Sequence, residues 1–305
     1  MYDVIIVGGG PAGLSAALML GRARRRVIVI DAGKPRNAAA RVFHGFLGRD
    51  GLNPHDFLSD GRKEVAKYRV ELLNDTVVGG EVLSESAEHP FPTAFAVHTE
   101  GGRSLKCRKI LFATGMCDEV PDLPGFRECY GATVHHCPYC DGWEHQQKHL
   151  LAFGKTAEKA VGLGVSLKGW SEKVTVLTNG HSLSDDQKAR LSKNHIDYRE
   201  EAVARLSHHG DKLLGVDFST GGTLAADALF FNTAFSPQTD VPRALGCTFC
   251  EETDDGTHDK QRTNVPGLFL AGDADGDVQF VIVAAGEGAT AAVAINRELQ
   301  EEDRA

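Results

Sequence analysis

Two cysteines separated by two residues, Cys137 and Cys140, have the types and spacing with the most chemistry in this chain. The spacing lets two thiols close a small-ring disulfide, and it is typical of dithiols with a lowered thiol pKa. A structural zinc site is the alternative, but such a site usually needs a second pair of Cys or His ligands at metal spacing. The pair therefore predicts either thiol–disulfide exchange or metal binding.

Two features could complete a zinc site. His135 and His136 directly precede Cys137, and Cys247 and Cys250 form a second CxxC. Cys247 follows a short Leu-Gly segment in which apolar packing is a sufficient role, and Cys250 can be incidental. We therefore interpret the second CxxC as a packing feature. The other cysteines have no partner at such a spacing and are interpreted as packing residues: Cys107, Cys117 and Cys129.

A glycine-rich loop near the N-terminus has the pattern that binds dinucleotides. Residues 2–7 are rich in β-branched side chains, as in a buried strand, and residues 14–22 are rich in Ala, Leu and Met, which favours a helix. The loop between them spaces its glycines as G-x-G-x-x-G, so the helix N-terminus can supply N–H donors and positive dipole to a pyrophosphate. The candidate cofactor-binding residues of this loop are Gly8, Gly10, Pro11, Ala12 and Gly13.

Each glycine of the fingerprint has a physical task. Gly8 permits the tight turn, Gly10 lets the backbone approach a pyrophosphate, and Gly13 lets helix and strand pack closely. Asp31 ends the next apolar strand, residues 27–30, where its carboxylate can accept hydrogen bonds from ribose hydroxyls. Strand, loop, helix and acidic residue together predict one βαβ half of a doubly wound sheet.

The strand–helix–strand pattern recurs at residues 150–153, 157–167 and 174–177. Further along the chain the sequence predicts two more apolar strands, each leading into a polar loop, and a long closing helix: strand 110–113 before Thr114-Gly115, strand 267–271 before Gly272-Asp273, and a helix over about 278–299. These elements predict an α/β fold made of two doubly wound nucleotide-binding (Rossmann-like) domains.

Composition and charge narrow the class of protein. A chain of 305 residues with 42% hydrophobic and 25% charged residues is ordinary for a soluble globular protein of two domains. The formal net charge of −9 disfavours nucleic acid or an anionic membrane as a partner. Met1 leads straight into a strand without a signal-peptide pattern, and the apolar stretches are shorter than the ~20 residues of a membrane helix. We therefore expect a cytoplasmic protein, in which a close Cys pair is redox-active or metal-binding.

Four motifs in order resemble a known family. Residues 8–13, Ala113-Thr114-Gly115, residues 137–142 (CPYCDG) and Ala271-Gly272-Asp273 occur in the order seen in thioredoxin reductases of the small bacterial type. The resemblance covers essentially the whole chain, and it implies that one domain is nested inside the other. The implied domains are an FAD-binding domain of residues 1–115 and 245–305, and an NAD(P)H-type domain of residues 116–244 that carries the CxxC.

The resemblance implies that the first site binds FAD. Asp273 would bind the ribityl or phosphate portion of the flavin. The helix starting near Gln279 would point its N-terminus at the flavin N1/O2 side and stabilise the negative charge of reduced flavin. The match around Asn37 and His44 is in position more than in letters. The other residues that the resemblance places at the cofactor are Val77, Ala113, Thr114, Gly115 and Gly272.

The resemblance also places Cys137 and Cys140 at the family's active disulfide, which favours redox chemistry over zinc, so we predict no metal site. Cys140 would face the flavin C4a, and Cys137 would meet the substrate through a mixed disulfide formed by thiolate attack. Asp141 matches the acidic residue after the family's second cysteine and is the candidate proton donor or acceptor. His136 could lower a thiol pKa or act as a base, and a surface or otherwise satisfied histidine is an equally good interpretation.

The second nucleotide site departs from the family pattern. After strand 150–153 only Gly154 remains of a glycine loop, and Lys155 follows it. Residues 178–180 read Thr-Asn-Gly where the family has His-Arg-Arg, so the arginine clamp for the 2′-phosphate of NADPH is missing. Each charge-assisted hydrogen bond lost costs ~1.5–3 kcal/mol, and Lys155 offers one compensating charge. The sequence therefore predicts poor use of NADPH.

These features predict an FAD-dependent thiol–disulfide oxidoreductase in either direction of electron flow. Similar flavoproteins include dithiol oxidases that close disulfides in natural products such as gliotoxin and holomycin, and reductases that use ferredoxin or another donor. An ordinary NADPH-dependent thioredoxin reductase is the alternative enzyme, and a flavin-bound redox sensor is the alternative from another class. The expected partners are a thioredoxin-like protein or a small-molecule dithiol or disulfide, and the resemblance implies a homodimer.

Overall fold

The computed structural model describes residues 1–83, 94–248, 261–275 and 278–305. The strands are, in chain order, β1 (Tyr2–Val7), β2 (Val27–Asp31), β3 (Glu71–Asn74), β4 (Val77–Leu83), β5 (Ala94–Thr99), β6 (Ser104–Phe112), β7 (Met116–Asp118), β8 (Val134–His135), β9 (Leu150–Gly154), β10 (Val174–Leu177), β11 (Asp197–Arg199), β12 (Val203–His209), β13 (Lys212–Phe218), β14 (Thr223–Ala225), β15 (Ala228–Asn232), β16 (Phe235–Pro237) and β17 (Leu268–Leu270). The α-helices are α1 (Pro11–Arg22), α2 (Pro54–Ala66), α3 (Phe126–Cys129), α4 (Pro138–Asp141), α5 (Ala157–Leu167), α6 (Asp185–Lys193), α7 (Val241–Ala244) and α8 (Val281–Glu302).

The chain folds as two compact units. The first comprises residues 1–38, 45–117 and 237–305, and the second comprises residues 39–44 and 118–236. The chain therefore returns to the first unit for the last time at 236/237, ahead of the 244/245 boundary drawn from the sequence. This difference has a packing cause, since α7 packs against β4 within the first unit.

The first unit is built on a sheet with the strand order β3-β2-β1-β6-β5-β4, and β17 also pairs with β6. β3, β2, β1, β6 and β17 are parallel, whereas β5 and β4 pair antiparallel. The apolar, buried residues of β1 and β2 fit the centre of a parallel sheet covered on both faces. As a result, the carboxyl ends of β1, β2, β6 and β17 lie at the same edge of the sheet.

Helices α1 and α8 pack closely against each other beside this sheet. A Cβ on Gly288 of α8 would lie 2.0 Å from the carbonyl oxygen of Ala12 of α1, so only glycine allows this approach. The long helix predicted to begin near residue 278 begins at Val281, because Phe280 has the extended backbone of an N-cap residue.

The second unit contains an all-parallel sheet with the order β11-β10-β9-β15-β8 and an antiparallel sheet of β12, β13 and β14. Thr156 caps α5 through its side chain, and this helix follows β9 as the strand–helix pattern predicted. The two parallel, nucleotide-binding-type arrangements confirm the predicted α/β, doubly wound fold class. Among the described residues, no helix is long and apolar enough to cross a membrane.

Candidate active site

The glycine loop of the first unit lies at the carboxyl ends of its parallel strands. β1 ends directly before Gly8, and β6 ends directly before Ala113. Gly8 has a φ of +107°, and a Cβ there would lie 2.2 Å from the carbonyl oxygen of Ala113. A Cβ on Gly13 would lie 1.9 Å from the carbonyl oxygen of Gly8. Only glycine fits these two positions, so the chain turns tightly from strand to helix.

Gly10 faces open space at the start of α1. Among the described atoms, a Cβ on Gly10 would meet nothing within 4 Å, and this residue caps α1 without a side-chain hydrogen bond. Pro11 opens the helix, where its missing N–H costs no helical hydrogen bond. Ala12 and Gly13 are buried beneath the turn. The N–H groups of this first turn therefore suit the pyrophosphate of a dinucleotide such as FAD.

Asp31, at the end of β2, holds its carboxylate beside the same loop. Its Oδ2 accepts a 2.7 Å hydrogen bond from Arg62 of α2, and its Oδ1 accepts one of 3.2 Å from the N–H of Gly33. A Cβ on Gly9 would lie 2.6 Å from Oδ2 of Asp31. The carboxylate is therefore oriented next to the loop. Sequence reasoning missed Arg62, because no local spacing links it to Asp31.

An arginine joins two other predicted cofactor residues. Asp273 lies in the 3₁₀ turn Gly272–Asp275 after β17, and Gln279 lies just before α8. Nη1 of Arg36 donates to Oδ2 of Asp273 at 2.8 Å and to Oε1 of Gln279 at 2.5 Å. The structure therefore brings Asp273 and Gln279 together. Arg36 is 237 residues from Asp273 in the sequence, and no motif marks it.

The other predicted cofactor residues of the first unit lie at separate places. Thr114 and Gly115 follow β6, and Gly115 has a φ of +68°. Asn37 lies in the 3₁₀ turn Arg36–Ala39, and Val77 is buried at the start of β4. The cofactor roles of these residues remain predictions.

His44 lies in the second unit. Its Nε2 is 3.4 Å from Oε1 of Glu144. Glu144 belongs to the 3₁₀ turn Trp143–His145, which follows the CxxC segment. The structure thus places His44 beside the disulfide segment, a position that the sequence did not predict.

Cys137 and Cys140 form a disulfide at the start of the one-turn helix α4. Their Cα atoms are 5.3 Å apart. Cys137 caps this turn, and its Sγ accepts a 3.2 Å hydrogen bond from the N–H of Cys140. A hydrogen bond of this kind stabilises a thiolate at Cys137 after the disulfide opens. Gly142 must be glycine, because a Cβ there would lie 2.4 Å from the carbonyl oxygen of Pro138.

Asp141 and His136 lie in two different groups of polar side chains. Oδ1 of Asp141 is 3.2 Å from Nδ1 of His135. Nδ1 of His136 is 3.3 Å from the hydroxyl of Tyr130, which donates to Oδ2 of Asp118 at 3.1 Å. Sequence reasoning missed Asp118, Tyr130 and a contact of His135 with a carboxylate.

The metal alternative depends on a cluster of ligand side chains. In the described part of the chain, no group of three or more His, Cys, Asp or Glu side chains could hold a metal ion. Cys250 lies outside the described residues. Burial raises the pKa of the Cys107 thiol to about 12 and also raises the pKa of Cys129 and of Cys247. These three thiols are therefore protonated and unreactive at neutral pH, as packing residues are. Cys117 is exposed, so its interpretation as a packing residue was wrong.

In the second unit, the start of α5 is capped by the chain itself. A Cβ on Gly154 would lie 2.3 Å from the backbone N of Ala160, so β9 and α5 pack closely. Oγ1 of Thr156 accepts a 3.3 Å hydrogen bond from the N–H of Lys159, and Glu158 lies in the first turn of the helix. A hydroxyl group and a negative side chain thus lie at the N-terminus of α5.

The basic side chain after β9 is paired. Nζ of Lys155 lies 3.0 Å from Oε2 of Glu119, and both side chains are about half exposed. At the end of β11, Arg199 forms an ion pair with Glu201 at 2.5 Å and lies over the ring of Phe218.

The side chains after β10 also form hydrogen bonds with backbone groups. Thr178 is fully buried, and its hydroxyl donates to the carbonyl oxygen of His181. Oδ1 of Asn179 accepts a 2.9 Å hydrogen bond from the N–H of Val203. Asn179 has a φ of +51°, which fits a tight turn.

The whole chain is similar to known flavin-dependent disulfide oxidoreductases. A model of the pyridine nucleotide-disulphide oxidoreductase family matches residues 2–288. The crystal structure of HlmI is similar with a TM-score of 0.93 and 36% sequence identity, covering 99% of this chain and 93% of that one. The thioredoxin reductase aclD of Aspergillus oryzae is 29% identical, over 100% of this chain and 98% of its own length. The thioredoxin reductase of Bacillus subtilis is 27% identical, over 99% and 96%.

Proposed function

The chain belongs to the pyridine nucleotide-disulphide oxidoreductase family and is a thioredoxin reductase-like flavin enzyme, and we propose that it exchanges electrons between Cys137–Cys140 and FAD without efficient use of NADPH. In this proposal Cys137 meets the substrate and Cys140 faces the flavin. The hydrogen bond from the N–H of Cys140 to Sγ of Cys137 supports a thiolate at Cys137, which is the form that exchanges with a substrate disulfide.

The residues of the first unit fit the cofactor that the family implies. The turn from Gly8 to Gly13 would hold the pyrophosphate, Asp31 the ribose, and Asp273 the flavin side of the molecule. When bound, FAD supplies a two-electron acceptor or donor for the dithiol. Arg36 fixes Asp273 and Gln279 relative to each other, so it prearranges the edge at which the flavin would lie.

The side chains at the second nucleotide site support the proposal that NADPH is used poorly. Thr156 caps α5, Glu158 adds negative charge to its first turn, and Lys155 is paired with Glu119. A pyrophosphate would have to displace the cap and approach two carboxylates. Each of these changes opposes the binding of a nucleotide whose phosphates are negative.

The position of the 2′-phosphate supports the same conclusion. Asn179 offers no positive charge, and Arg199 is held by Glu201 and Phe218. Loss of two charge-assisted hydrogen bonds at ~1.5–3 kcal/mol each weakens binding by about two to four orders of magnitude. NADPH would therefore bind too weakly to be the working electron donor.

The partner is proposed to be a dithiol or disulfide. Relatives named thioredoxin reductases favour a thioredoxin-like protein. A small-molecule dithiol fits equally with the loss of the NADPH site, because the dithiol itself would then be the electron source and oxygen a suitable final acceptor. We also propose a homodimer, as the family resemblance implies.

Anaerobic titration of the flavin spectrum tests the proposal. The holoenzyme is titrated first with NADPH and then with dithiothreitol. We expect bleaching of the oxidised flavin band by dithiothreitol and little or none by NADPH. Rapid stoichiometric bleaching by NADPH would show an ordinary NADPH-dependent reductase instead.

Lys155→Ala is a matched control for the titration. Lys155 is the basic residue that could compensate for the missing arginine clamp of the NADPH site, and it has no proposed role in electron exchange with the dithiol. Its removal should therefore leave bleaching by dithiothreitol unchanged. Oxygen consumption over many turnovers with a dithiol substrate then separates an enzyme from a redox sensor. A protein that is reduced once and turns over neither oxygen nor a disulfide would be a sensor.

A further inference from the structure

Two buried histidines lie behind Asp141. Nδ1 of His135 is 3.2 Å from Oδ1 of Asp141, and Nε2 of His135 is 2.9 Å from Nε2 of His145. His135 and His145 have relative exposures of 5% and 6%. An ion-pair contact from Asp141 to His135 and a hydrogen bond from His135 to His145 thus join the three side chains in a line that begins at the residue after Cys140 and runs into the interior of the second unit.

The line has two complete arrangements of its protons. In one, Nδ1–H of His135 donates to Asp141, and Nε2 of His135 accepts from Nε2–H of His145. In the other, His135 carries its proton on Nε2, which lies 3.2 Å from the carbonyl oxygen of Ala132 and 2.9 Å from His145. In the second arrangement Nδ1 of His135 accepts from Asp141 while that carboxyl group holds the proton, so a proton can shift along the line by a change of tautomer at His135.

The inner end of the line is an unsatisfied atom. Among the described residues, Nδ1 of His145 is one of the buried side-chain atoms that have no hydrogen-bond partner. Buried polar atoms are nearly always paired, so an unpaired ring nitrogen on a hydrogen-bonded chain calls for an explanation. An aliphatic or phenyl side chain would fill the same space beside Phe230 without that cost.

We propose that His145 and His135 are positioning residues that form a proton relay ending at Asp141. The relay rests on the proposed thiol–disulfide exchange, and it serves the sulfur of Cys140. Its inner end is Nδ1 of His145, which takes up or releases the proton during transient opening of the turn Trp143–His145.

This line of side chains delivers the one proton that an exchange step needs at Cys140. A substrate thiolate attacks Sγ of Cys137, a substrate–Cys137 disulfide bond forms, the Cys137–Cys140 bond breaks, and its electron pair leaves on Sγ of Cys140. One proton, equal to the one that the substrate thiol released, enters at Nδ1 of His145. The Nε2 proton of His145 passes to His135, the Nδ1 proton of His135 passes to Asp141, and Asp141 delivers one proton to the Cys140 thiolate.

The relay resets when the cysteines close again. Re-formation of the Cys137–Cys140 bond removes the proton from Cys140. That proton returns through Asp141, His135 and His145 in the opposite direction and restores both starting tautomers. A relay used once in each direction per cycle therefore needs no ring rotation.

The charges around His145 keep it neutral between transfers. Burial and then the neighbouring His135 and Lys148 lower the pKa of His145 to about 4, and Asp141 and Asp227 oppose this shift. A neutral imidazole has one N–H and one lone pair, so it can accept a proton at one nitrogen as it gives one at the other.

His145→Gln separates a relay from a purely structural role. The amide nitrogen of Gln can take the place of Nε2 and keep the hydrogen bond to His135, but it cannot pass a proton. The probe is the rate at which dithiothreitol bleaches the flavin of the holoenzyme without oxygen, measured from mildly acidic to alkaline pH. We expect H145Q to lose at least about tenfold in rate at alkaline pH and to approach the wild type as pH falls, because protons then reach the thiolate from solvent.

Two results would overturn the relay. An H145Q rate equal to the wild type at every pH, or a loss that is the same at every pH, shows that His145 only fills space. If H145Q does not fold or does not retain flavin, His135→Asn decides the same question, since Asn can donate to Asp141 without relaying a proton. A wild-type flavin that dithiothreitol does not bleach at any pH would instead refute the proposed function itself.

Discussion

Cys140 is the residue on which the proposed electron path depends. In Cys140→Ser, Cys137 has no sulfur partner with which to close a disulfide, so electrons cannot pass from a dithiol to FAD as a pair. We expect anaerobic bleaching of the flavin by dithiothreitol to fall to the rate of free FAD, as measured by stopped-flow absorbance. Cys117→Ser removes an exposed free cysteine and should keep the wild-type rate. A C140S rate equal to that of C117S would contradict the role given to Cys140.

His145 also makes a testable contribution to stability. Its pKa is lowered from 6.5 to about 4 in the folded protein, so between these values the unfolded chain binds a proton here that the folded chain does not. Stability therefore decreases as pH falls from about 6.5 to about 4, by an amount of the order of 3 kcal/mol from this residue. Urea unfolding of H145Q should lack this part of the pH dependence.

His209→Gln is the control for that measurement. His209 is exposed in β12, so its replacement should leave the pH dependence of unfolding unchanged. If the wild type and H145Q lose the same free energy of unfolding between the two pH values, burial of a neutral His145 is not a source of acid sensitivity.

At this scale, sequence reasoning found the residues with motif spacing and missed those that support them. The disulfide pair and its spacing were predicted, whereas Arg36, Arg62 and His145 carry no local pattern. Arg36 meets Asp273 across 237 positions, and such a contact depends on the whole fold of the unit. Side-chain partners of this kind follow from packing and not from spacing.

FAD binding can be tested at the turn between β1 and α1. Gly10→Ala adds a methyl group where no described atom lies within 4 Å, so the protein should fold as before. The methyl group would, however, occupy the space through which the pyrophosphate approaches the backbone. We expect affinity for FAD to fall at least about tenfold, measured by titrating apoprotein with FAD and following flavin fluorescence.

Gly162→Ala is the matched control for Gly10→Ala. Gly162 lies in α5 of the second unit, and a Cβ there also meets no described atom within 4 Å. Its replacement should stabilise the helix by about 0.5–1 kcal/mol and leave FAD binding unchanged. Equal FAD affinity in both variants would contradict a pyrophosphate site at Gly10.

Elements with both a hydrophobic pattern and a cap were predicted closely. The bounds of α5 and β10 coincide with the predicted residues 157–167 and 174–177, because Thr156 caps the helix and the apolar strand is fully buried. The start of α8 was placed too early, because Phe280, directly before Val281, is apolar but has an extended backbone. Periodicity alone does not show where an apolar segment leaves the helical conformation.

At the scale of the whole molecule, the order of motifs predicted the fold class. The structure adds the contacts between segments that lie outside the motifs. Neither the division of the chain at residues 39–44 nor the contact of His44 with Glu144 follows from motif order. Both depend on where a connecting segment packs, and connecting segments have no repeat or periodicity from which to predict it.

An ion-pair network in the first unit joins β6 to the end of α8. Arg108 and Lys109 of β6 are almost fully buried, and both contact Glu302 near the end of α8, at 2.8 and 2.5 Å. Arg108 also pairs with Asp303, and Lys109 with Glu298, so Glu302→Gln reduces the negative charge around two buried cations without removing it. The free energy of unfolding should fall by about 2 kcal/mol. The adjacent Glu301→Gln breaks an exposed pair with Arg297 and should cost no more than about 0.5 kcal/mol. Urea unfolding followed by circular dichroism compares the two variants, and equal midpoints would show that burial of α8 against α1, and not this network, fastens the end of the chain.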